Sequence, residues 1–139
     1  MSLHARGDFC QYCDTWCKRD AHPRLYGVWK TIKKAFPDCH IAQVFRNKED
    51  QEKDVAEKKS MLHWPFSCHN AEFGGMPRSR ALDLFKLDEK EQAVWDKNYY
   101  KAIADFLSSE AAPIHWGGNW VSFKDFPHFE LIPEVPQNP

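Results

Sequence analysis

The chain has 139 residues, 42% hydrophobic and 14% aromatic, with six Trp and ten Phe; this is the composition of one modest globular domain and excludes a disordered chain. The formal charge of −1, with acids interleaved among Lys30, Lys33, Lys34, Lys58 and Lys59, argues against a nucleic-acid-binding face. No run approaches the roughly eighteen apolar residues of a membrane span, and Met1 to Asp8 lack the apolar core of a secretory signal. The expectation is therefore a monomer made in the cytoplasm, with no nucleic acid and no membrane insertion.

Residues 1–21 read as an N-terminal extension. Within it Cys10, Cys13 and Cys17 form a C-x-x-C-x-x-x-C run, three potential thiolate ligands with His22 as a potential fourth. No second C-x-x-C pair follows, and structural zinc sites need four good ligands. The five cysteines are an odd number and are expected as thiols in a reducing compartment, so a second, structural zinc at Cys10/Cys13/Cys17 is not expected.

A domain spanning residues 22–133 follows, with 134–139 as an extended or frayed tail. Leu25, Val28, Trp29, Ile32 and Phe36 are spaced as a helix face over about 22–36, stopped by Pro37-Asp38. Ile41 to Phe45 reads as a short strand. Asn47 caps a second predicted helix, with Glu49 and Asp50 in its first turn, running to about Lys59. Residues 60–80 carry Pro65, Gly74, Gly75 and Pro77 and read as loop. Ala81 to Phe85 reads as a buried strand with one acid inside it. Val94, Trp95, Tyr99, Ile103, Phe106 and Leu107 predict a long amphipathic helix over about 89–107. Strands are predicted at 114–116 and 127–132. The irregular alternation of helices and strands points to an α+β domain with a small antiparallel or mixed sheet.

An acid inside a buried strand is costly unless paired or metal-bound, which singles out Asp83. Neutral imidazole and carboxylate together suit zinc, so His69 and His128 are its candidate co-ligands. Each alone is more often structural: a histidine beside aromatics usually packs and hydrogen-bonds, and a strand aspartate usually pairs with an arginine such as Arg80. Asp125 stands three residues ahead of His128, across a turn stiffened by Pro127. There a carboxylate can take a proton from a water at the metal's open position and pass it to a leaving amine. Arg46 is the candidate electrophile for a developing oxyanion, or else a surface cation at a strand end.

Four blocks resemble the zinc D-alanyl-D-alanine carboxypeptidases and L-alanyl-D-glutamate endopeptidases, which include many phage endolysins. Val44-Phe45-Arg46-Asn47 with Gln51 is similar to the arginine block, and Ser67-Cys68-His69-Asn70 to the S-x-H segment. Ser79-Arg80-Ala81-Leu82-Asp83-Leu84 is similar to the aspartate segment. Trp116-Gly117-Gly118-Asn119-Trp120 followed by Asp125-Phe126-Pro127-His128-Phe129-Glu130-Leu131 resembles the family's ending. Over residues 24–132 the resemblance implies a hedgehog/DD-peptidase-like fold and one zinc held by His69, Asp83 and His128. It further implies Asp125 and Arg46 in catalysis and Gln51, Ser67 and Trp116 near a peptidoglycan stem peptide.

The family often spaces its histidine and aspartate seven apart. Here they are fourteen apart, the excess falling around Ala71 to Pro77, a length a surface loop tolerates; His63 is a conceivable substitute ligand. The D-x-P-H-F-E-L ending favours the endopeptidase, a lysin that acts on the wall after release. The other branch, D-Ala–D-Ala carboxypeptidase, stays open. So do a non-catalytic zinc-containing binding module of the same fold, for which Asp125 has no use, and an interaction protein built on the three cysteines. A two-histidine, one-carboxylate iron oxygenase is disfavoured, since its first histidine and acid stand one residue apart in a jelly roll.

Overall fold

In the computed structural model, which describes residues 4, 5 and 7–138, a helical layer lies on a five-stranded antiparallel sheet. The helices are α1 (Gln11–Asp20), α2 (Pro23–Ala35), α3 (Lys48–Ala56) and α4 (Lys97–Ser109). The strands are β1 (Cys39–Gln43), β2 (Glu72–Phe73), β3 (Met76–Pro77), β4 (Ala81–Leu87), β5 (Ala93–Val94), β6 (Ile114–Trp116) and β7 (His128–Leu131). The sheet runs β1-β4-β7-β6, with β5 also on β4, while β2 and β3 form a separate hairpin. Among the described residues no helix is long and apolar enough to cross a membrane.

Helix α2 buries Leu25, Val28, Trp29 and Ile32, the face its spacing predicts. Helix α4 buries Tyr100, Ile103 and Leu107, and the Tyr100 hydroxyl donates to the Leu84 carbonyl at 2.8 Å. It begins at Lys97 rather than Glu89. Asp96 caps it, accepting from the Asn98 N–H, and Val94 is drawn instead into β5, opposite Lys86.

Three further regions depart from expectation. The 60–80 stretch is not all loop: Gly74 and Gly75, at φ 61° and 79°, close the β2–β3 hairpin at left-handed dihedrals that favour glycine. Residues 10–21 of the extension are not external to the domain, because Cys10, at the N-cap of α1, and Cys13 and Cys17, on its buried face, are part of the main core. Up to Asn138 the tail is held against the domain rather than frayed. Val135 is buried, and the Gln137 side chain donates to the Arg78 carbonyl and accepts from Arg80.

The central strand positions the site. On one side Asp83 pairs with His128 of β7. On the other, a shift of register between Ile41 and Gln43 sets Gln43 opposite Asp83. Such an irregularity bends its strand, and the chain leaves β1 here towards Arg46.

Candidate metal centre

His69, Asp83 and His128 come together from three places in the fold. His69 stands on a single 3-10 turn, Cys68–Asn70, held by a reciprocal cap. The Ser67 hydroxyl accepts from this turn and Asn70 Oδ1 accepts from the Ser67 N–H. His69 Nε2 and His128 Nδ1 each lie 3.2 Å from Asp83 Oδ1, and the two rings meet edge-on with centroids 5.0 Å apart. Ligand atoms of the three residues all lie within 4.8 Å of one another.

The remaining ring nitrogens are occupied in a way that frees these two for a metal. His69 Nδ1–H donates to the Val44 carbonyl at 2.7 Å, leaving a lone pair on Nε2. His128 Nε2 faces Glu130 Oε1 at 2.6 Å, leaving Nδ1 as the metal-side nitrogen. Histidine ligands ordinarily have such outer partners, which fix the tautomer and ring angle. A tetrahedral site with bonds of about 2.1 Å has ligand–ligand edges of about 3.4 Å, close to the 3.2 Å found here. The donor set of two imidazoles and one carboxylate therefore fits a zinc-type centre.

The electrostatics agree. Burial works to raise the Asp83 carboxyl, but the charges and hydrogen bonds of His69 and His128 outweigh it and hold the group well below the usual carboxylate range. Burial works to lower His128, but its bonds to Asp83 and Glu130 prevail and lift it to about 10. Without metal, a proton on His128 thus balances the surrounding acids. A dication takes over that role when bound.

Asp125 Oδ2 lies 4.0 Å from His128 Nδ1. Its position depends on Gly117: a Cβ there would fall 2.3 Å from the Asp125 carbonyl oxygen and 3.1 Å from His128 Cβ. The Gly117 carbonyl also accepts from the Asp125 N–H at 3.1 Å. Burial, and then the charge of Asp83, raise the Asp125 carboxyl above its ordinary value. Arg46 donates to Gln51 Oε1 at 3.0 Å and faces Asp83 Oδ2 at 3.5 Å and Asp54 Oδ2 at 3.1 Å. It is thus a nearly buried cation fixed beside the metal-side carboxylate.

Arg46, Ser67, His69, Asp83, Asp125 and His128 line one cleft of about 740 Å³. Gln51 is fully buried below it, donating to Ser60 Oγ and the Leu62 carbonyl and accepting from Arg46 and Asn70; it positions Arg46 and does not face the cleft. Trp116 does not line the cleft either. Its indole N–H donates to the Phe126 carbonyl at 2.7 Å, its ring stacks on Phe129, and it supports the turn carrying Asp125. His63 is exposed and pairs with Glu52, away from the site. Arg80 turns to the Ile132 carbonyl and Gln137, so it is not the partner of Asp83.

Glu130, which orients His128, was legible only as an acid near a ligand. Strand alternation places residues 128 and 130 on one face, and that is the signal for its role. The exposed cleft walls Met61, Leu62, Phe66, Trp95 and Phe123 carry no pattern along the chain that marks them.

No protein-family model matches the chain. Over 61 residues it is 36% identical to the peptidoglycan L-alanyl-D-glutamate endopeptidase CwlK of Bacillus subtilis, a match covering 38% of this chain and about a third, 36%, of that protein's length. The solved structure of the L-Ala D-Glu endopeptidase ChiX of Serratia marcescens superposes with a TM-score of 0.67 at 23% identity, over 86% of each chain. The chain therefore has the fold of that structure, the α+β arrangement expected from the sequence.

Proposed function

We propose that the chain is a zinc-dependent peptidase that hydrolyses the L-Ala–D-Glu bond of peptidoglycan stem peptides. The observation carrying this reading is the convergence of His69, Asp83 and His128 with a raised-pKa carboxyl, Asp125, 4.0 Å from His128 in the same cleft. The names of both similar proteins support the bond, and that of CwlK supports the peptidoglycan substrate.

Zinc held by His69 Nε2, Asp83 and His128 Nδ1 would supply a Lewis acid and lower the pKa of a water in the fourth position. The chain's own residues do the rest. Asp125 takes a proton from the attacking water and returns it to the departing amine, a cycle helped by a carboxyl whose pKa burial raises above its ordinary value. The Arg46 guanidinium, held by Gln51 and Asp54, presents fixed positive charge to the cleft where the oxyanion develops. Glu130 and the Val44 carbonyl keep both imidazoles in the ligand tautomer. The apolar walls at Met61, Leu62 and Phe66 offer a surface for the alanine methyls of the stem peptide.

Mass spectrometry of defined peptidoglycan fragments after incubation with the zinc-loaded protein tests this. The expected products are split between L-Ala and D-Glu. Release of a terminal D-Ala alone would reassign the chain to carboxypeptidase chemistry. Bound zinc with no cleavage of any fragment would make it a binding module.

A further inference from the structure

Away from the cleft, Cys10 and Cys13 meet two histidines that are distant in sequence. Cys13 Sγ lies 3.5 Å from His4 Nδ1 and 3.8 Å from His40 Nδ1. One ligand atom from each of His4, Cys10, Cys13 and His40 falls within 4.8 Å of all the others. With Zn–S of about 2.3 Å and Zn–N of about 2.05 Å, the sulfur–nitrogen edge of a zinc tetrahedron is about 3.6 Å. The observed separations bracket that value.

We propose that His4, Cys10, Cys13 and His40 form a second metal site, a structural zinc that fastens the N-terminal segment and α1 to β1. Three observations support a built site. The set is complete at four ligands of zinc-preferring type, which the three cysteines with His22 are not: Cys17 lies outside the cluster and His22 caps α2. The sulfurs already receive backbone N–H groups, from Ala5 to Cys10 and from Ile41 to Cys13, each at 3.4 Å. Amide donors of this kind stabilise thiolate ligands from the outer shell. Charge also balances, since two thiolates neutralise a dication and leave a neutral unit, the form that a largely buried site tolerates.

The consequence reaches the cleft. His40 stands opposite Phe85 in the β1–β4 register, two pairs from Gln43 and Asp83. A metal on His40 would clamp the outer strand of the sheet from which Arg46 departs.

The site is distinguishable from the His/Asp/His centre because only it carries thiolates. The 139-residue chain should bind two zinc ions, and its His128→Ala variant one. Cobalt-loaded His128→Ala should show a thiolate-to-cobalt charge-transfer band in the near-ultraviolet, and Cys13→Ser should lose that band together with one zinc. Should Cys13→Ser fail to fold, His4→Ala, altered in a partly buried segment, should fold and surrender one zinc to a chelator faster than wild type. A cobalt protein with no charge-transfer band overturns the proposal, as does a Cys13→Ser or His4→Ala protein with wild-type zinc content and retention. Loss of wall-peptide cleavage alone bears only on the cleft.

Discussion

At the scale of single residues, the proposed function separates holding a metal from moving a proton. Asp125 is 4.0 Å from His128 Nδ1, outside the candidate ligand triad. Asp125→Asn should therefore keep its zinc while cleavage falls by roughly 10²–10⁴-fold, read as metal content beside kcat/KM on a stem peptide; near-normal turnover would place the base elsewhere. Glu130 has the opposite signature. It touches His128 at 2.6 Å, so Glu130→Gln should weaken zinc binding by about 10–100-fold, measured by competition with a chelator. Unchanged affinity would show that the pair does not tune the ligand. Arg46 has neither signature, since it is a cation paired with Asp54 and Asp83 beside the triad. Arg46→Ala should retain zinc and lose activity by about 10²–10³-fold. Its melting temperature should also drop, because Asp54 and Asp83 lose their shared cation.

At the scale of elements, the helix caps and strand register carry the argument. The His22 ring caps α2: its Nδ1 accepts from the Arg24 N–H at 3.0 Å and its Nε2–H donates to the Pro136 carbonyl at 2.8 Å. Burial, aided by nearby arginines, lowers its pKa from 6.5 despite the bond to Pro136. The folded state thus prefers the neutral ring, and the stability it contributes is complete above the unfolded value and lost as pH falls through the folded one. Between about pH 7 and pH 5 the wild type should lose more melting temperature than His22→Asn, which caps without titrating. Equal slopes in thermal melts would exclude this role. The helix faces of α2 and α4 were readable because their apolar residues recur at helical spacing. Helix α1 was not, because its buried face is written in cysteines and invites a reading as a metal motif. The β2–β3 hairpin was missed for a related reason: a two-residue strand is too short to show alternation.

At the scale of the molecule, residues 10–21 and the main body share one core, in which Cys13 and Cys17 pack with Leu25, Trp29 and Ile32. The Ser79 N–H and carbonyl also bond to Asp20 and His22. A chain shortened to residues 22–139 should therefore lose its cooperative thermal transition, followed by circular dichroism; an unchanged transition would mean that α1 is dispensable. What the sequence determined by itself was which residues to expect in the cleft. His69, Asp83, Asp125 and His128 lie in short segments whose local order, S-x-H, an acid within a buried strand, and D-x-P-H, marks them as candidates for the ligand and proton-transfer roles. Only the tertiary structure decided which distant side chains meet. Opposition of Asp83 to His128 depends on antiparallel register, Gln51 and Trp116 move beneath the cleft through packing, and His4 and His40 displace Cys17 and His22 beside Cys10 and Cys13. Each of these contacts joins residues far apart along the chain, and the closure of such loops depends on the whole core, which no local spacing reports.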